Sequence, residues 1–95
     1  MIPVERYRLR LYVTGLTARS TRAINAVRSV CEEFLRGHYD LEIIDVYQTP
    51  SRVVADQIIA IPTLLKCNPV PTRVLVGDMS DRRRLLTGLG LPVDD

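Results

Sequence analysis

Two cysteines, one histidine and a scatter of carboxylates are the side chains of this 95-residue sequence with the most chemical reach. Cys31 and Cys67 could supply a thiolate, a disulfide or metal ligands. They lie far apart in the chain, and with the single His38 they are too few for a zinc or iron site. Asp45, Asp56, Asp78 and Asp81 show no spacing that pairs a general acid with a general base. His38 follows Gly37 and has no fixed partner in its neighbourhood, which places it at the surface. Cys31 falls on an apolar helical stripe and reads first as a small core residue. No catalytic group, metal or cofactor is expected from this set.

The elements that would position these residues follow from periodicity. Tyr7 to Val13 alternates Leu9, Leu11 and Val13 with Arg8, Arg10 and Tyr12, the pattern of a strand with one better-buried face. A helix is expected from a cap at Ser20 or Thr21 to about Arg36, with Ile24, Val27, Cys31 and Phe34 forming its stripe. Gly37 stops it. Leu41 to Val46 is the second strand. Thr49 and Pro50 look like an N-cap and a first helical residue, and Val53 to Ile59 fits a short helix or a strand. Thr63 to Lys66 and Arg73 to Val76 are two further strands around the turn Asn68-Pro69-Val70-Pro71. Gly77-Asp78 ends the fourth strand. Asp78 and Ser80 are the expected caps of a last helix reaching Leu86, with Asp81 near its positive end.

The order β-α-β-α-β-β-α requires a crossover in its first half, hence parallel strands, and permits an antiparallel hairpin in its second. That is the thioredoxin-like arrangement, in one domain covering residues 1–95. Ile61-Pro62-Thr63-Leu64-Leu65 is similar to the thioredoxin-fold signature in which a cis proline precedes the third strand. Pro62 is therefore a cis-proline candidate, with an ordinary trans proline at a strand start as the alternative. The active-site loop of a thioredoxin would fall on Gly15-Leu16-Thr17-Ala18-Arg19-Ser20. Thr17 and Ser20 stand where two cysteines would stand, and hydroxyls can neither form a disulfide nor supply a thiolate.

A narrower resemblance covers Tyr7 to Leu91. Leu11-Tyr12-Val13-Thr14-Gly15 with Thr17, Ser20 and Arg22-Ala23 is similar to the opening of the KaiB family. So are Tyr39, Ile44-Asp45-Val46, Pro50, Ile61-Pro62-Thr63-Leu64 and Lys66, then Pro69, Pro71, Arg73, Gly77-Asp78, Ser80, Arg82 and Gly88-Leu89. The resemblance implies a non-enzymatic regulator that docks on a KaiC-like ATPase, in a circadian or timing and stress role. It also implies possible further partners, KaiA or a histidine kinase, and a resting homo-oligomer, dimer or tetramer. The family is metamorphic, with a KaiB-specific arrangement of the C-terminal half beside the thioredoxin-like one. Gly88 and Gly90 mark the fold-switch region here, since glycine weakens a helix by about 1 kcal/mol; a frayed C-terminus explains the same composition.

Arg22, Lys66 and Arg73 are the expected partner-binding residues, on an electropositive face that meets acidic groups. With Arg82-Arg83-Arg84 they form a basic patch, for which a solvated helix face is the plainer reading. The sequence departs from the family at Gln57, where lysine is frequent, at Gly90, where an acidic residue is frequent, and in stopping at Asp95 without a longer acidic tail.

Composition bounds the remaining classes. Hydrophobic residues are 46%, charged residues 25% and the net charge +2, values of a globular protein that do not demand nucleic acid. Four tyrosines and one phenylalanine are too few for a stacking platform, so no nucleic acid is expected. No apolar run approaches the ~20 residues of a membrane span, and the N-terminus shows no signal pattern. The expectation is no membrane and a cytoplasmic location, with reduced thiols.

Overall fold

The computed structural model describes residues 5–15, 17–77 and 79–93. Leu16 and Asp78, the latter with its expected capping role, and the final Asp95 lie outside the described residues. The elements are β1 (Tyr7–Val13), α1 (Ala18–Phe34), β2 (Tyr39–Asp45), α2 (Pro50–Ala55), β3 (Thr63–Asn68), β4 (Arg73–Val76) and α3 (Arg82–Leu89). The sheet order is β2-β1-β3-β4. β1 runs parallel to β2 and antiparallel to β3, and β3 runs antiparallel to β4. α1 is the crossover that parallel pairing requires.

The alternation in β1 sorts the sheet into two faces. Tyr7, Leu9, Leu11 and Val13 join Leu64 and Leu75 against Ala23, Val27, Val30 and Cys31 of α1 and Leu85, Leu86 and Leu89 of α3. Burial of each such leucine stabilises by roughly 1.5–3 kcal/mol. The Tyr7 hydroxyl donates to the Leu89 carbonyl at 2.8 Å, satisfying both groups in the core. The opposite face carries Arg10 and Tyr12 beside Glu42 and Ile44 of β2, and α2 attaches there.

Several boundaries differ from expectation, each for a local reason. α1 is capped by Thr17, whose hydroxyl accepts from the Ser20 N–H at 3.1 Å; Ser20 lies inside the helix and Thr21 follows it. α1 ends at Phe34 rather than Arg36, and Gly37 turns the chain away in the left-handed region at φ +79°. β2 is shifted to Tyr39–Asp45 because it pairs residue for residue with Tyr7–Val13. β3 runs past Lys66 to Asn68, which is opposite Arg8. Val53 to Ile59 is not a strand: α2 stops at Ala55, and Gln57 at φ +56° breaks the helix before Ile58 and Ile59. Asp81, not Ser80, caps α3 by accepting from the Arg84 N–H at 3.2 Å. A carboxylate there also complements the positive helix end.

α3 continues to Leu89 across Gly88. Gly88 has ordinary helical angles, so a special φ is not what it contributes. Its contribution is space. A Cβ at residue 88 would sit 2.5, 2.6 and 2.9 Å from Cδ1, Cδ2 and Cγ of Leu75. Gly90 has the special geometry: at φ +72° it closes a Schellman motif, with Gly90 N–H to Thr87 O at 3.1 Å and Leu91 N–H to Leu86 O at 2.9 Å.

The two glycines should therefore respond differently. In a Leu75→Ala background, Gly88→Ala should stabilise by up to about 1 kcal/mol through helix propensity. With Leu75 present, overpacking of about 1–3 kcal/mol opposes that gain, so a double-mutant cycle by urea unfolding should give an unfavourable coupling of about 1 kcal/mol or more. Gly90→Ala should cost about 1 kcal/mol in either background, since the left-handed conformation penalises any Cβ.

Candidate partner-binding surface

The loop that would carry a thiol pair is built from hydroxyls already in use. Thr17 caps α1. Ser20 is buried, and its Oγ accepts from the Thr14 N–H at 3.1 Å, tying the end of β1 to the start of α1. Pro62, preceded by a cis bond, is buried, and its carbonyl accepts from the Gly77 N–H at 2.9 Å. Cys31 is buried in the core, and burial, with Glu32 adjacent, pushes its thiol up to about 12. It carries no thiolate at neutral pH. Cys67 is a second free thiol, half-buried on β3. Among the described residues no three His, Cys, Asp or Glu side chains gather where a metal could bind. His38 is exposed beyond Gly37.

The sheet face opposite the core holds a charged cluster that sequence reading did not assemble. Arg10 bonds Asp56 at 3.1 and 3.2 Å. The Tyr12 hydroxyl donates to the same carboxylate. Arg52 grips Glu42 with two bonds of 2.5 and 2.8 Å. These contacts fasten α2 to β1 and β2. Burial, then the bond to Asp56, pushes the Tyr12 hydroxyl up to about 12. The Tyr12 bond, with Arg10 next, holds Asp56 below the usual carboxylate range. The outward alternation of Arg10 and Tyr12 with Glu42 was the available signal; Asp56 was hidden in a segment readable as strand. Around α2 some apolar side chains point outward: Ile59 is 96% exposed, and Val54 and Tyr47 are also largely in solvent, while Val53 and Ile58 are half-buried.

The three expected partner-binding cations are not equivalent. Arg22 is exposed on α1. Arg73 is exposed at the start of β4, directly opposite Lys66 in the β3–β4 register. Lys66 is only 4% exposed. It pairs with Leu9 on one side and Arg73 on the other, so its side chain lies on the core face of an interior strand. It is therefore not a rim charge. Burial first, then Arg73, lowers its pKa, while Glu5 opposes the shift.

The geometry defines a class: a thioredoxin-like sheet and helices whose active-site loop holds capping hydroxyls in place of thiols. The fold is matched by the N-terminal domain of Synechococcus elongatus SasA, with TM-score 0.73 and 20% identity over 95% of this chain and 89% of that one. Mitochondrial thioredoxin 3 of Saccharomyces cerevisiae matches at TM-score 0.72 and 10% identity, over 90% of this chain and 78% of that one. The KaiB domain model matches residues 10–91. A circadian clock oscillator protein KaiB from Prochlorococcus marinus (strain MIT 9313) is 46% identical across the full chain, which spans 80% of that relative. The chain belongs to the KaiB family.

Two groups should set opposite alkaline slopes. Tyr12 has a folded pKa above its unfolded value of about 10, so its contribution is complete below pH 10 and lost as pH rises toward about 12. Lys66 has a folded pKa below its unfolded value, so its penalty is present at neutral pH and disappears as pH rises through the two values. Urea unfolding from pH 7 to about 11 should show Tyr12→Phe removing a falling component, and Lys66→Met removing a rising one. Tyr12→Phe should also cost about 1 kcal/mol at pH 7.

Proposed function

We propose that this chain is a non-enzymatic protein-binding regulator that docks on a KaiC-like ATPase and modulates a circadian, timing or stress-related output. The observation that carries this reading is the active-site loop: Thr17 and Ser20 spend their hydroxyls on capping and loop closure, so the fold survives without exchange chemistry. Membership of the KaiB family supports the partner. Exposed Ile59, Val54 and Tyr47 supply apolar surface of the kind that partners cover. Arg22 and Arg73 act as rim charges toward acidic groups on the ATPase, and buried Lys66 adds to the local positive field beneath Arg73. KaiA or a histidine kinase in the same pathway, a cytoplasmic setting and a resting homo-oligomer belong to the same proposal. So does a second arrangement of the segment from residue 49 onward, for which Gly88 and Gly90 are the determinants. All of it is carried by a single KaiB-like domain.

Co-purification with a KaiC homologue in the presence of nucleotide is the direct test. Arg22→Glu with Arg73→Glu should weaken the complex at least about tenfold, mainly through association rate, and added salt should weaken the wild-type complex. Unchanged affinity in the double reversal would remove both residues from the interface. Insulin reduction should stay at background; turnover that survived replacing Cys31 and Cys67 by serine would overturn the non-enzymatic reading.

A further inference from the structure

The run Arg82-Arg83-Arg84 is divided by its own helix. Arg82 turns toward α1, with Nη2 2.8 Å from both Glu33 oxygens and its guanidinium 5.6 Å from the centre of the Phe34 ring. Arg83 and Arg84 turn the other way. With Thr87 and Gly88 they face Arg73, Val74 and Leu75 of β4 across a cleft of about 570 Å³. Among the described residues of this lining the acid is Asp81, which already accepts from the Arg84 backbone N–H. Among the described residues no salt bridge joins Arg73, Arg83 or Arg84 to a carboxylate.

One wall of the cleft is an open strand edge. β4 is outermost in the sheet and pairs with β3 alone. Unpaired N–H and C=O groups on such an edge accept another strand. Val74 beside it is 58% exposed. Gly88 keeps the helix side of the cleft without a side chain where it faces Leu75.

We propose that this cleft binds an acidic, extended segment of a partner protein, added as a strand along β4 with its carboxylates on Arg73, Arg83 and Arg84. Main-chain bonds to the β4 edge would supply affinity, and guanidinium–carboxylate pairs the charge selectivity. A second copy of this chain is a poor occupant, because pairing β4 with β4 would bring two sets of these arginines together. Nucleic acid fits poorly too, since among the described residues no aromatic side chain lines the cleft for a base to stack on. The site shares Arg73 with the docking proposed above and does not depend on the ATPase.

The test uses the full chain and fluorescein-labelled peptides of about six residues, a typical strand length. One alternates glutamate with valine, one replaces glutamate by lysine, and one repeats the acidic sequence with alternate amides N-methylated. Anisotropy should show binding of the acidic peptide, at least about tenfold weaker binding of the lysine peptide, and a similar loss on N-methylation. Arg83→Glu with Arg84→Glu should also lose about tenfold, and Arg83→Gln with Arg84→Gln less, with far-UV circular dichroism unchanged. Amide exchange at Val74 and Val76 should slow when the acidic peptide is bound. Equal binding of acidic and basic peptides, indifference to both arginine variants, or tighter binding of single-stranded oligothymidylate would overturn the proposal. Peptide binding with no capture of the KaiC homologue would sink the docking and leave this site standing.

Discussion

β1 is hydrogen-bonded along both edges, buried on its inward face and partly covered on its outward one, so the remaining elements are arranged by what β1 presents. Its inward residues Leu9 and Leu11 are covered by α1 and α3. Its outward residues Arg10 and Tyr12 are bound by Asp56 at the end of α2. A shift of one residue in register would send the leucines toward α2 and the arginine into the core. The parallel pairing with β2 and the antiparallel pairing with β3 are therefore held by the same alternation of side chains.

The arginines divide into those that hold the fold together and those that do not. Arg10, Arg52 and Arg82 each bond a carboxylate on another element, and each joins a helix or its flank to the body of the protein. Arg73, Arg83 and Arg84 line an open cleft instead. A net charge of +2 hides this division, because the acids are concentrated where the structural arginines are. Exposed arginines also lie on α1, Arg22 among them, so the β4–α3 side is one of several positive parts of the surface, set apart by its cleft.

The C-terminal half is held by short-range fits that leave little slack. α3 sits so close to β4 that residue 88 has no room for a side chain, and it ends on a left-handed residue at 90. Lys66, desolvated beneath Arg73, adds a charge that this packing tolerates at a cost. An arrangement that released α3 from β4 would relieve the tight fit of Gly88 against Leu75 while giving up the burial of Leu85, Leu86 and Leu89. Opposing contributions of this kind are what a second fold of the same segment would draw upon.

The sequence by itself determined the element order, the faces of β1, Val27 and Cys31 as the centre of the α1 stripe, the break at Gly37 and the absence of a thiol pair at Thr17 and Ser20. These are local facts, written in periodicity and residue type within a few positions. The family was legible for the same reason, through residues spread along nearly the whole chain. What tertiary structure alone decided is where non-adjacent residues meet. Lys66 looked like a surface charge because its neighbours in sequence do not reveal that β3 is an interior strand. Gly88 looked like a residue that only weakens the last helix, and became a packing requirement when Leu75 came to face it. Asp56 sat in a segment with no clear preference until Arg10 and Tyr12 supplied its partners. The uniform run at residues 82–84 was split by a helix that turns one arginine to Glu33 and two toward β4. Burial, pairing and facing are properties of distances across the fold, and no window of sequence contains them.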